Sequence, residues 1–236
     1  HEANGYYMII ATAGHDTTSA STAGGLLGLI DNPEQMNAFR ADPEGLMPTA
    51  IDEMIRWVSP VRHFMRTATA DTEVGGQKIK AGESMILWYP SANRDESVYS
   101  DPNTFRIDRK ESKQIAFGFG AHVCLGQHLA RMEMSSLFRK LLERVDHIEL
   151  AGEPQYTQAV FVGGLKSLPI RYKMKKETKM TKVMKAFARM NHMAVHSLKF
   201  TFGGSEIKDT DTPEILEMEE NDVIDVLESF DFDGIT

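Results

Sequence analysis

Residues Phe117–Gly126 read FGFGAHVCLG and contain Cys124, the only cysteine in the 236-residue chain. Gly118, Gly120 and Gly126 carry no Cβ, so the backbone can turn tightly here and approach a bulky flat ligand. The sequence that follows, LGQHLARMEMSSLFRKLLERV, has a helical pattern. A thiolate at the start of a helix meets the positive end of the dipole, which favours its charged form. From the residues alone, Cys124 is a nucleophile, a redox sensor, an axial metal ligand or a buried thiol on a glycine-rich turn.

Composition narrows the setting. The chain is 42% hydrophobic, enough for a globular core, and its length fits one or two domains. A net charge of −8 argues against a nucleic-acid footprint. One cysteine cannot form an internal disulfide, so a reducing, cytoplasmic setting is expected. No uninterrupted apolar run approaches the ~18 residues of a membrane span. The chain opens at His1 inside a helical pattern, with no signal peptide, and reads as a fragment.

N-terminal to the loop, Ser91-Ala-Asn-Arg-Asp and Asp101-Pro-Asn-Thr-Phe-Arg-Ile-Asp-Arg form an irregular meander. Residues 59–87 alternate apolar and polar around Gly-Gly and Ala-Gly turns, which predicts short antiparallel strands. Residues 46–58 predict a helix with Glu53 and Arg56 on one face at i, i+3, a spacing that on a surface gives a weak solvated pair. Residues 33–41 predict a short helix. The first segment, GYYMIIATAGHDTTSASTAGGLLGLIDNP, is apolar or small almost all round, which predicts one long, mostly buried helix ended by Asn32-Pro33. Its Asp16-Thr17-Thr18-Ser19 run can bend a helix by side-chain-to-backbone bonding. It also places an acid beside an alcohol, a pair that can relay protons in a dry pocket. Residues 146–173 alternate again and predict a C-terminal sheet, with Phe161-Val162 at a turn.

Phe-Gly-x-Gly-x-His-x-Cys-x-Gly resembles the haem-ligating loop of the cytochrome P-450 family. Ala13-Gly14-His15-Asp16-Thr17 resembles that family's oxygen-activation motif, and Glu53-Met-Ile-Arg56 its Glu-x-x-Arg signature. The motifs fall in the family's order over residues 1–173, and the resemblance is to the bacterial soluble type. It implies the C-terminal half of the family's fold, mainly α with small β-sheets. It implies haem b, with the Cys124 thiolate on the iron favouring O–O cleavage. Thr17 and Asp16 would then handle protons. Ala13, Gly14, Phe117, Gly118 and Gly126 would contact the cofactor, and Arg66 and His122 its propionates. Glu53, Arg56 and Arg109 would form a buried structural network. Val61, Phe64, Phe161 and Val162 would touch a small apolar substrate, with O2 and a ferredoxin-type electron donor as further partners. The segments that precede the central helix in that family, which cover its substrate pocket, are absent from this sequence.

Beyond residue 173 the composition shifts. KMKKETKMTKVMKAFARM is basic and Met-rich, with an apolar helical pattern from Met180 to Met190. Leu198, Phe200 and Phe202 alternate before a Gly203-Gly204 turn, and eleven acids but no Lys or Arg follow Lys208. One reading of those acids is a solvated tail. The wording LKFTFGGSEIKDTDTPEILEMEENDVIDV, however, resembles small ubiquitin-like modifier (SUMO). That resemblance implies an α+β β-grasp (ubiquitin-like) domain over 174–236 whose first strand is missing. Tyr172–Lys175 can serve as last strand of the first domain or second strand of this one. The resemblance also implies a short hydrophobic peptide added by strand pairing near Tyr172–Lys176, Lys182 and Lys185. The chain ends FDFDGIT, without the Gly-Gly used for conjugation. Three functional readings follow: a haem-thiolate monooxygenase fragment, a non-enzymatic peptide-binding module beside an inert haem-domain remnant, or an artificial join.

Overall fold

The computed structural model describes residues 2–110, 113–174, 178–190, 193–219 and 222–228. The chain divides into two compact units, one of residues 1–143 and 148–172, the other of 144–147 and 173–236.

The first unit is assembled around helix α1, Glu2–Asp31. Asn32 ends it, its side-chain amide donating to Gly28 O at 2.8 Å. Two helices return beside it, α2 (Pro33–Ala41) and α3 (Pro43–Val58). Asp42 caps α3 by accepting from Gly45 N at 2.9 Å, and Pro43 occupies the first turn, where a missing N–H costs nothing. The helix therefore starts three residues before Leu46, where the periodicity places it. Ser59 ends it in the left-handed conformation at φ 44°.

The C-terminal half of α1 is a core element. A Cβ on Gly24 would meet Val58 at 2.5 Å, and one on Gly25 would meet the Met54 side chain at 2.6 Å. Small residues here let the helices approach closely. The N-terminal half departs from the expectation of burial. Residues 4–16 are exposed, with Tyr7 at 74% and Ile9 at 69%. Its all-round apolar character is real, but among the described residues nothing packs on it.

Strands β1 (His63–Thr67) and β4 (Ser84–Trp88) pair antiparallel, Arg66 opposite Met85. Between them β2 (Thr72–Val74) and β3 (Gln77–Ile79) form a hairpin across Gly75-Gly76, both at positive φ. A short helix α4 (Tyr89–Ala92) opens the meander, and the 117–126 loop leads into α5 (Gln127–Arg144). Strand β5 (Val145–Leu150) pairs with β8 (Ile170–Met174), and β6 (Gln155–Tyr156) with β7 (Leu165–Ser167). Arg139 of α5 holds Glu44 of α3 through two bonds at 2.7 and 2.9 Å.

The second unit has its own core. Helix α6 (Met180–Met190) presents Met180, Met184 and Ala188 to Leu198 and Phe200 of β9 (Leu198–Phe202). Strands β10 (Ser205–Glu206) and β11 (Asp225–Glu228) flank β9, giving the order β10-β9-β11. Strand β8, which can be read as a second strand of this fold, pairs with β5 and does not join the three-stranded sheet. Lys175, Lys176 and the terminal FDFDGIT lie outside the described residues.

Two outcomes test this packing. Gly25→Ala drives a Cβ into the root of the buried Met54 side chain and is expected to destabilise by roughly 1–3 kcal/mol in urea unfolding. Gly5→Ala meets nothing within 4 Å and is expected to stabilise by about 0.5–1 kcal/mol through helix propensity. The Glu44 clip adds a pH dependence. Its hydrogen bond to Arg139 holds the carboxyl below its ordinary value of 4.5. That contribution is complete above pH 4.5 and is lost as pH falls through the folded-state value. Glu44→Gln should flatten this part of the acid limb of a stability–pH curve and leave the neutral arm parallel to the parent's.

Candidate haem-thiolate site

Glu53 lies one turn before Arg56 on α3, and both are almost wholly buried. Arg56 Nε and Nη2 donate to the two Glu53 carboxylate oxygens at 2.6 and 2.8 Å, a bidentate pair. Its Nη1 donates to Asn93 O at 2.7 Å and Pro102 O at 2.9 Å. Arg109, 4% exposed, brings a second guanidinium to Glu53, its Nε donating at 3.2 Å. The rest of that group donates to the carbonyls of Ser100, Asp101 and Thr104. Arg106 N also donates to Glu53 Oε1 at 2.9 Å. A charge taken out of water must be met by partners, and this set supplies them. The surface pair that the i, i+3 spacing alone suggests is here a core element that pins the 93–109 meander to α3.

Tyr99 packs against both guanidiniums, 5.1 Å from Arg56 and 5.9 Å from Arg109 by ring centroid. Burial pushes its phenol above the ordinary range. Arg94, whose Nη2 donates to Trp57 O at 2.9 Å, is pushed down by burial and by the nearby Arg56 charge.

From this base the loop is held by two tethers that periodicity does not reveal. Asn93 is fully buried; its amide donates to Ser59 Oγ and its oxygen accepts from Ile115 N, both at 2.8 Å. Arg131 of α5 stands 4.7 Å over the Phe117 ring and donates to Asp52 of α3 at 2.8 Å. Within the loop, Gly118 and Gly120 adopt φ of 74° and 77°, a region L side chains rarely enter. Gly118 packs against the Tyr89 hydroxyl, which a Cβ would meet at 3.2 Å. Cys124 N donates to Phe117 O at 2.9 Å, closing the loop, and Gln127 N donates to Cys124 O. His122 sits in a single 3₁₀ turn, Gly120–His122.

The loop fits an axial thiolate. Cys124 is exposed, and its apolar neighbours Phe119 and Leu125 are each 88% exposed. Space beside Gly120 is open, since a Cβ there would meet nothing within 4 Å. Among the described residues no group of three or more His, Cys, Asp or Glu could hold a metal ion. A lone soft sulfur suits a metal whose other ligands come with it, as haem iron's do.

The remaining predicted residues fall into two places. Val61 and Val162 form an isolated antiparallel bridge, and the Phe64 and Phe161 rings meet edge to face at 5.4 Å. These four therefore form one cluster, beside His63 and Trp88, which stack at 5.2 Å. Arg62 joins the two segments through its backbone, its N–H donating to Phe161 O at 2.9 Å. Ala13, Gly14 and Asp16 are exposed on α1, and Thr17 beside them is half-buried. Thr17 Oγ1 donates to Ala13 O at 2.7 Å, and Asp16 lies 2.8 Å from His15 Nδ1. Arg66 is exposed on β1 and donates to Met65 O at 2.8 Å.

A helix-rich unit with small sheets and an exposed cysteine on a glycine-turned loop fits a haem-thiolate class of protein. The cytochrome P450 family model matches residues 2–175, and the chain belongs to that family. It is 53% identical over 169 residues to cytochrome P450-terp from Pseudomonas sp, covering 72% of this chain and 39% of that protein. It is 42% identical over 165 residues to a steroid C26-monooxygenase from Mycolicibacterium smegmatis, covering 69% of this chain and 41% of that one. Among solved structures, CYP108D1 from Novosphingobium aromaticivorans superposes with a TM-score of 0.69 at 51% identity, covering 72% of this chain and 41% of its own. The chain thus spans about two-fifths of the length of these relatives. Members of the family use haem with a cysteine thiolate ligand. A second model, ubiquitin-2 like Rad60 SUMO-like, matches residues 158–227. No described helix is long and apolar enough to cross a membrane.

The network makes a direct prediction. Arg56→Ala leaves Glu53 with one guanidinium and strips the carbonyls of Asn93 and Pro102 of their donor. It is expected to cost roughly 3–5 kcal/mol, read from urea unfolding followed by tryptophan fluorescence.

Proposed function

We propose that residues 1–173 are the haem-thiolate part of a monooxygenase that inserts one oxygen atom from O2 into a small apolar substrate. Electrons come from a ferredoxin-type donor, and the setting is the cytoplasm. Residues 174–236 form a separate SUMO-like domain. The observation that carries the reading is Cys124 itself, exposed on a loop whose glycines clear its surroundings. The 53% identity over 169 residues to cytochrome P450-terp favours this reading over an inert remnant.

When bound, haem supplies the iron centre at which electrons are accepted and O2 is activated. Cys124 holds it as a thiolate, and the tethers from Asn93 and Arg131 fix the loop that carries the sulfur. Phe117, Gly118 and Gly126 line the approach, with Arg66 and His122 as donors to its carboxylates. Thr17 spends its hydroxyl proton on Ala13 O. Its oxygen is left as an acceptor, able to hold a water or a protonated acid. Asp16 is solvent-exposed beside it and can take protons from water and pass them on. Val61, Phe64, Phe161 and Val162 offer an apolar surface to the substrate. In the smaller domain, Lys182 and Lys185 are exposed on α6, where a hydrophobic-acidic peptide would dock.

The test is the absorbance spectrum of the haem-reconstituted chain, reduced and bound to carbon monoxide. A Soret band at the thiolate-ligated position is expected, and Cys124→Ser should abolish it. No band, or only that of a protonated thiol or histidine ligand, would sink the reading.

A further inference from the structure

Strand β9 is bonded on both sides, by β10 and β11, but β11 pairs with β9 alone. Among the described residues no strand lies on its other edge. An unpaired edge presents backbone N–H and C=O groups in register for one more strand. The core beneath is also only partly covered there: Ile224 and Val226 are half-buried against it, and Val223 is 71% exposed. The SUMO-like match begins at residue 158, well before α6. Strands β7 and β8 of that stretch pair with β6 and β5. Among the described residues the second unit's sheet consists of β10, β9 and β11.

Charge says what fits. Asp222 and Asp225 are exposed at and before β11, with Glu219 close by, since its N–H donates to Asp222 Oδ2 at 2.7 Å. Lys199 lies opposite Leu227 on β9, but its ammonium faces Glu206 at 3.4 Å. A second copy of β11 would set acid against acid, which destabilises a strand pair. The same acids attract a basic strand and fix its register. We infer that the free edge of β11 receives an extended, lysine- or arginine-bearing peptide from a partner protein. This site differs in place and in charge preference from a groove for acidic-hydrophobic peptides beside α6, and it stands whether or not residues 1–173 bind haem.

The probe is a fluorescein-labelled peptide of alternating Lys and Val, titrated with the full chain and read by anisotropy. Saturable binding is expected, with no binding of the Glu-Val counterpart. N-methylation at alternate peptide residues keeps the charge but removes the edge donors, and should weaken binding by about tenfold or more. Asp222→Lys/Asp225→Lys in the protein should exchange the preference between the two peptides. Equal binding of the N-methylated peptide would reduce the effect to charge alone and overturn the proposal, as would equal binding of the Glu-Val peptide. A dimer in sedimentation that the Lys peptide dissociates would put a second copy on this edge, and overturns it too.

Discussion

One carboxylate shared by two buried guanidiniums is the constraint on which the larger unit depends. Glu53 cannot leave water without partners, and neither can Arg56 or Arg109. Their joint requirement is met only when residues 93–109 wrap back onto α3 and offer their carbonyls. A stretch with little regular structure thereby acquires a single course. Hydrophobic burial alone would not specify it, because Tyr99, Phe105 and Ile107 could find other apolar neighbours. The polar network supplies the direction and the apolar residues supply the driving force.

The smaller unit shows the opposite balance. Its core is a methionine face on one helix set against alternating residues on one strand, with no buried ion pair among the described residues. Methionine adapts its shape to irregular gaps, which suits a sheet with three strands among the described residues. Order here comes from periodicity, 3.6 residues on α6 and two on β9, and from the Gly203-Gly204 turn at positive φ that reverses the chain.

What could be read in the sequence follows from how local each signal is. Helices α2 and α6 were legible to the residue because Pro33, and the Met180–Met190 pattern, are local marks. The length of α1 was legible for the same reason. Its exposure was not, since periodicity records which residues are apolar and not what meets them. The early start of α3 was available in Asp42-Pro43, a cap and first-turn pair that the apolar pattern overshadowed. Cys124 and its glycines were legible because the loop's chemistry is compressed into ten residues. Asn93, Asp52 and Arg131 were not, because their partners lie 22 to 79 residues away and nothing near them marks the contact. Likewise, an i, i+3 acid–base pair looks the same in sequence whether it faces water or the core, so only the distant carbonyls around Glu53 and Arg56 distinguish the two.

The two tethers to the loop have a thermodynamic consequence. Asn93 joins Ile115 to Ser59 and, through its carbonyl, to Arg56; Arg131 joins Phe117 to Asp52. Loop order and the integrity of α3 are therefore linked functions, and linkage is reciprocal. A ligand that binds only the ordered loop stabilises the fold by RT ln(1 + [L]/Kd), and damage to the distant carboxylate network weakens the ligand's affinity by the coupling free energy between loop and network. Affinity at Cys124 and the melting of α3 then report on one coupling.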